Sequence, residues 1–176
     1  MTRSGLDLDK YRRIHYLPNP TSLDQASEFI ANTLLLSHGI RRDTVSIVKL
    51  KCCLLIAPGD TLRQLRPDYE TRIGWIRAVL RGRHRGLGAI LYSENAIIED
   101  IKSRNIPLLI ARYHSDKTWI DIGLWRYMAA MRKTLVITYV DNKNNFTRKA
   151  DLAAPYSPGV TGAIVNILID NLLYNK

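Results

Sequence analysis

The stretch "LLLSHGIRRDTVSIVKLKCCLLIA", Leu34 to Ala57, decides how this chain folds. Three leucines close an apolar run. Ser37, His38, Gly39, Arg41, Arg42 and Asp43 follow, and then a nearly continuous apolar segment begins. That segment is rich in β-branched residues and stops at Pro58-Gly59-Asp60, so it reads as one buried strand. The residues before it, "SLDQASEFIANTLLLSH", read as a helix. Ser22 is placed as an N-cap with Gln25 three residues on, and Leu23, Ala26, Ile30, Thr33 and Leu34 fall on one stripe. Gly39 then reads as the C-cap. The open question is what two guanidiniums and a carboxylate do between a helix and a buried strand.

Working outward, helical and strand patterns alternate. "RPDYETRIGWIRAVLR" opens a helix at Pro67-Asp68, with Ile73, Ile76 and Leu80 at helical spacing. "LGAILY" reads as a short strand, "SENAIIEDIKSR" as a helix capped by Ser93, and "IPLLIARY" as a buried strand. "KTWIDIGLWRYMAAMRK" leans helical, "TLVITYV" is a strand, and "NKNNFTRKAD" is a polar loop. The closing helix is "SPGVTGAIVNILIDNLLY", with Ser157 as N-cap and Pro158 as first helical residue. The opening "DLDKYRRIHYLPNP" is either a strand plus turn or a loose arm. Alternation of this kind predicts an α/β fold with a mostly parallel sheet flanked by helices. One domain, 1–176, is expected.

The net charge of +10, from 26 Lys and Arg against 16 Asp and Glu, points to a polyanionic partner. RNA or DNA ranks ahead of an acidic membrane surface. The N-terminus carries no apolar segment of signal-peptide type, so a cytoplasmic protein is expected, with no membrane partner. Cys52 and Cys53, adjacent within a strand pattern, would point to opposite faces and read as small hydrophobes. The four histidines are scattered, so no metal is expected.

Arginine dominates the region from Leu62 to Arg85: Arg63, Arg66, Arg72, Arg77, Arg81, Arg83 and Arg85. Guanidinium suits bidentate phosphate contacts and stacking on bases, and Gly82, Gly86 and Gly88 give the loop freedom. Arg72, Arg77, Arg81, Arg83 and Arg85 are the candidate RNA contacts. From spacing alone, Arg41, Arg42 and Asp43 read as a local ion-pair cluster.

The strings "FIANTLLLSHGIRRDTVSIVKL" and "GDTLRQLRPDYETRIGWIRAVL" resemble the archaeal tRNA pseudouridine N1-methyltransferases, which belong to the trefoil-knotted SPOUT methyltransferases. The motif Ser-His-x-Ile-Arg-Arg-Asp carries the resemblance. It spans roughly residues 29 to 80, and continues more weakly through "ENAIIEDIKSRNIPLLIARYHSD" and "YSPGVTGAIVNILIDNLL". The resemblance implies a C-terminal trefoil knot, a homodimer with its site at the interface, and S-adenosylmethionine held by three loops. On this chain those loops fall at Tyr113 and His114, at Tyr139, Val140 and Asp141, and at Tyr156, Ser157 and Gly159. The chain departs from the family pattern in two places: "VDNKNNFTRKAD" holds no glycine, and "GVTGAIVN" replaces polar and cysteine positions.

The implied reaction is methyl transfer to N1 of pseudouridine in the T-loop of tRNA. Asp43 is the expected proton acceptor or relay, and Arg41 or Arg42 the group that holds a ring oxygen or a phosphate. His38 reads as a structural, helix-terminal histidine. Two alternatives stay open: a SPOUT-like RNA-binding protein without cofactor, and a basic DNA-binding protein, for which no helix-turn-helix pair is found.

Overall fold

A computed structural model describes residues 6–92, 96–104, 106–130, 134–141 and 151–174. Its strands are β1 (Arg13–Leu17), β2 (Leu35–Leu36), β3 (Gly39–Ile40), β4 (Thr44–Lys49), β5 (Leu54–Pro58), β6 (Ile90–Tyr92), β7 (Leu108–Tyr113), β8 (Trp119–Ile120), β9 (Leu135–Asp141) and β10 (Leu152–Ala154). The helices are α1 (Leu23–Leu34), α2 (Tyr69–Ala78), α3 (Ala96–Ser103), α4 (Ile122–Ala130) and α5 (Pro158–Tyr174). Eight strands form one sheet in the order β6-β5-β4-β1-β9-β7-β10-β8. The five central strands, β4, β1, β9, β7 and β10, pair in parallel, and the outer ones pair antiparallel. This is the α/β fold with a mostly parallel sheet that the alternation predicts.

Period-two alternation divides the core. Leu17, Val48, Leu55, Ile137 and Tyr139 pack with Phe29 of α1, Trp75 of α2, Trp125 of α4 and Val165 of α5. Residues of the opposite parity, Ile14, Ile47, Ile56 and Val136, face the other way, against Leu8, Tyr11 and the α3 residues Ile97 and Ile101. Both faces are covered, which is why the strands read as continuous apolar runs.

Three expectations change. "TVSIVKLKCCLLIA" is two antiparallel strands, β4 and β5, joined by a turn that Leu50 N closes on Cys53 O at 2.9 Å. Apolarity on both faces hides such a reversal; Lys49 and Lys51 were its only punctuation. Cys52 and Cys53 therefore sit on the turn with Cys52 exposed and their Sγ atoms 3.4 Å apart, and do not point to opposite faces. Gly39 is not a helix cap, because α1 ends at Leu34 and β2 and β3 form a minimal ladder pairing Leu35 with Ile40. The opening segment is the central strand β1.

The helix starts agree with their capping signals. Ser22 Oγ accepts from Gln25 N at 3.1 Å while Gln25 Oε1 accepts from Thr21 N at 2.8 Å. Asp68 Oδ1 accepts from Thr71 N at 2.9 Å, and Ser157 Oγ from Val160 N at 3.3 Å. The expected cap Ser93 and the loop 142–150 lie outside the described residues.

Candidate active site at two ends of the sheet

Because β1, β4 and β9 run parallel, their starts share one edge: Arg13 is in register with Thr44 and with Leu135. The Arg41–Asp43 corner sits at this edge, where Asp43 O accepts from the backbone N of Arg12 at 2.8 Å. Helix α5 reaches the same edge from across the chain. Asp170 accepts from Arg13 Nη2 and from Arg41 Nη1, each at 2.5 Å. Asp43 Oδ2 lies 3.9 Å from Arg13 Nη2, and its Oδ1 accepts from Thr44 Oγ1 at 3.1 Å. Arg41 is thus paired with Asp170 and not with Asp43, which corrects the local-cluster reading. Arg42 is exposed. These groups line an open cleft of about 680 Å³ with Arg12, Leu36 and Ile40.

Behind the cleft runs a buried polar chain that the sequence did not reveal. Asn166 Oδ1 accepts from Arg13 Nη1 and from His15 Nε2, both at 3.1 Å, while its Nδ2 donates to Thr33 O at 2.9 Å. With Nε2 protonated, His15 Nδ1 is left to accept from the Tyr139 hydroxyl at 2.6 Å. His15 is fully buried, and burial together with the Arg13 charge lowers its pKa to about 3. It is a neutral imidazole. Burial pushes the Tyr139 hydroxyl well above its usual range. Thr33 Oγ1 hydrogen-bonds Ser46 Oγ and so ties α1 to β4. The only signals for this chain were polar residues at apolar positions: His15 in β1 and Asn166 in α5.

The residues assigned to cofactor loops lie at the opposite edge. Tyr113 at the end of β7 is in register with Asp141 of β9 and Ala154 of β10, so three carboxyl-terminal strand ends stand side by side. His114 follows β7 with φ at 58°, a left-handed conformation uncommon for a residue with a side chain. Tyr156 is 45% exposed and Ser157 Oγ donates to Glu28 Oε1 at 3.1 Å. Four of the assigned residues are engaged in packing. The side chains of Tyr113, Tyr139 and Val140 are buried in the core. Gly159 faces α1, where a Cβ would come within 3.0 Å of Asn32 Nδ2 and of Glu28 Cγ. Gly162 does the same against Thr33 Cγ2, at 2.6 Å. These glycines let two helices approach.

From Leu135 to Asp141 is six residue steps, so the two edges stand about 20 Å apart. Within one chain the arginine corner and the loop edge do not form a single crevice. Helix α5 is the element that connects them: it begins at the loop edge with Pro158 and carries Asp170 to the corner.

Of the candidate RNA contacts, Arg77, Arg81, Arg83 and Arg85 are exposed on α2 and the turns after it. Arg72 is committed: its Nη2 donates to Asp24 Oδ1 at 3.1 Å, and its guanidinium lies 5.4 Å from the Tyr69 ring centroid. His38 is exposed in the turn between β2 and β3. Among the described residues, no three His, Cys, Asp or Glu side chains gather as a metal site requires, and no helix is long and apolar enough to cross a membrane.

No protein-family model matches the chain, and no curated protein matches it. Among solved structures the chain is similar to the SpoU methyltransferase AviRb from Streptomyces viridochromogenes, in complex with the cofactor AdoMet. Sequence identity is 12% and the TM-score 0.42, and the similarity covers 98% of this chain and 61% of that one.

Proposed function

We propose that the protein is an S-adenosylmethionine-dependent RNA methyltransferase of the trefoil-knotted class, working as a homodimer on N1 of pseudouridine in the T-loop of tRNA. One observation carries the reading. The three segments to which the motif resemblance assigns cofactor loops end in adjacent, in-register parallel strands. Open α/β sheets bind ligands at such carboxyl edges.

That edge fits the cofactor in part. Asp141, exposed Tyr156 and the backbone at the start of α5 are the groups positioned to hold it, with Tyr113, Tyr139 and Val140 limited to main-chain contacts. When bound, S-adenosylmethionine supplies the electrophilic methyl group. The chain's own residues supply the rest. Asp43 takes the proton from N1, exposed Arg42 holds the uracil oxygen or an adjoining phosphate, and Arg41 is fixed in place by Asp170.

Two copies resolve the separation of the edges. The outer face of α5 bears Val160 and Ile167, 38% and 55% exposed, at a spacing of two helical turns. Antiparallel pairing of that face across a two-fold axis sets the corner of one protomer against the loops of its partner. The knot depends on how residues 142–150 pass from β9 to β10, which lies beyond β7.

The test is mass spectrometry of tRNA nucleosides after incubation with protein and isotopically labelled methyl donor. Labelled N1-methylpseudouridine is expected. Absence of any labelled nucleoside, together with no heat of binding for S-adenosylmethionine in calorimetry, overturns the enzymatic reading. The core burial of Tyr113, Tyr139 and Val140 favours a second reading in that case: the same dimer as an RNA-binding protein without cofactor.

A further inference from the structure

The basic stretch after β5 holds a constrained pocket as well as charge. Between buried Leu62 and Leu65, Gln64 has φ at 61°, a left-handed conformation for a residue with a full side chain. Such a conformation persists only where the surroundings impose it, and it concentrates at binding sites. Here both flanks are fixed. Thr61 Oγ1 donates to Gly88 O at 2.8 Å, Arg63 N donates to Leu87 O at 3.1 Å, and Trp75 Nε1 donates to Arg63 O at 3.0 Å. Gly88 itself has φ at 72° and packs so tightly that a Cβ there would sit 1.8 Å from Thr61 O.

Gln64 is thereby held at a pocket of about 310 Å³ that Thr71, Gly74, Trp75, Arg83 and Gly86 also line. Trp75 is buried and gives the pocket an apolar wall, while Gln64, Thr71 and Arg83 bring polar groups to it. Gly74 and Gly86 keep it open, since a Cβ on either would meet no atom within 4 Å. A carboxamide offers a donor and an acceptor side by side, the pattern a nucleobase edge presents in return. A guanidinium stacks on a base or binds its phosphate. The surrounding stretch, Leu62 to Gly88, holds seven arginines against two carboxylates, which selects an anionic polymer over a neutral small molecule.

We infer that this pocket receives one unstacked nucleobase of the bound RNA, with Gln64 on its hydrogen-bonding edge and Arg83 on its face or phosphate. The inference rests on the RNA-binding part of the proposed function. It also has a place relative to the arginine corner. Gly59, at the start of the loop, donates its N–H to Thr44 O at 2.9 Å and lies against the Arg41 carbonyl, leaving no room for a side chain. Gln64 is five residues further, within about 17 Å of that contact. The pocket therefore reads a nucleotide near the one presented at the corner and contributes to the choice of RNA.

The test is fluorescence anisotropy of the full chain with a labelled tRNA T-arm hairpin, its loop scanned by single abasic substitutions. In the unaltered protein one abasic position is expected to weaken binding about 10-fold. Gly74→Leu, whose Cβ meets no atom within 4 Å, adds bulk at the pocket wall and should weaken the intact hairpin as much and lose sensitivity at that position. Gln64→Gly, which keeps the left-handed backbone, should lose sensitivity there with an unchanged melting temperature. Binding by both variants equal to that of the unaltered protein, or an unaltered protein indifferent to every abasic position, overturns the pocket and leaves RNA binding standing. No binding of any RNA overturns both.

Discussion

The two edges of the parallel sheet solve opposite problems with the same helix. At the amino edge, charge is neutralised and fixed: Arg13 and Arg41 converge on Asp170, and a hydrogen-bonded chain behind them runs through Asn166, His15 and Tyr139. At the carboxyl edge, His114 is held in a left-handed conformation and Tyr156 is exposed. The amino edge is fixed by its contacts with α5 before any ligand arrives. In the proposed dimer, the positioned base and the cofactor grip come from different copies of the chain.

The sharpest way to break this comparison is to disable one edge in each protomer. Asp43→Asn is expected to lower methyl transfer by about 10²–10⁴-fold with little change in melting temperature. Mixing it with an Asp141→Ala protein should restore activity through hybrid dimers, measured as label transferred to tRNA. No recovery on mixing would mean that the edges do not meet across an interface.

Next in size, Asp170→Ala removes the 2.5 Å partner of Arg13, which is 2% exposed, and leaves it only Asp43 at 3.9 Å. A loss of about 3 kcal/mol in chemical denaturation is expected, because a buried charge left with only a distant partner is costly. Asp43 and Asp170 share a cleft; the first variant should affect chemistry alone, and the second folding and, by freeing Arg41, chemistry as well.

The rigid edge also predicts a pH response. His15 titrates near 3 in the fold and near 6.5 when unfolded. Below pH 6.5 the unfolded chain takes a proton that the folded chain refuses, so stability falls toward pH 3, and this group adds no dependence above pH 6.5. The loss between pH 7 and pH 5 should be about 2 kcal/mol, read by urea denaturation. His15→Gln should flatten that slope. The smallest effect belongs to the loop edge: Ser157→Ala removes the N-cap of α5 and should cost about 1 kcal/mol in the same assay.

Much of the fold was legible because both faces of the sheet are covered. Continuous Val, Ile and Leu runs marked β4, β7 and β9, and capping residues marked α1, α2 and α5. The reversal at Lys51 and Cys52 was not legible, since two doubly buried strands joined by a tight turn look like one long run. β1 was obscured by the polar residues Arg13 and His15, whose partners lie on α5, remote in sequence. The arginine corner was found from its motif, but its partner was not, because Asp170 is remote in sequence. What no local pattern encodes is which end of a strand a motif occupies, and that single fact separates the corner from the loops.

The bond between Arg13 and Asp170 spans 157 positions of the chain, and that from Arg13 to Asn166 spans 153. During synthesis β1 therefore emerges long before the α5 carboxylate that pairs with it. Until then a guanidinium and an imidazole destined for the interior must stay hydrated. The sheet's last stage of assembly waits on α5, and truncations that remove α5 should yield chains that collapse without closing.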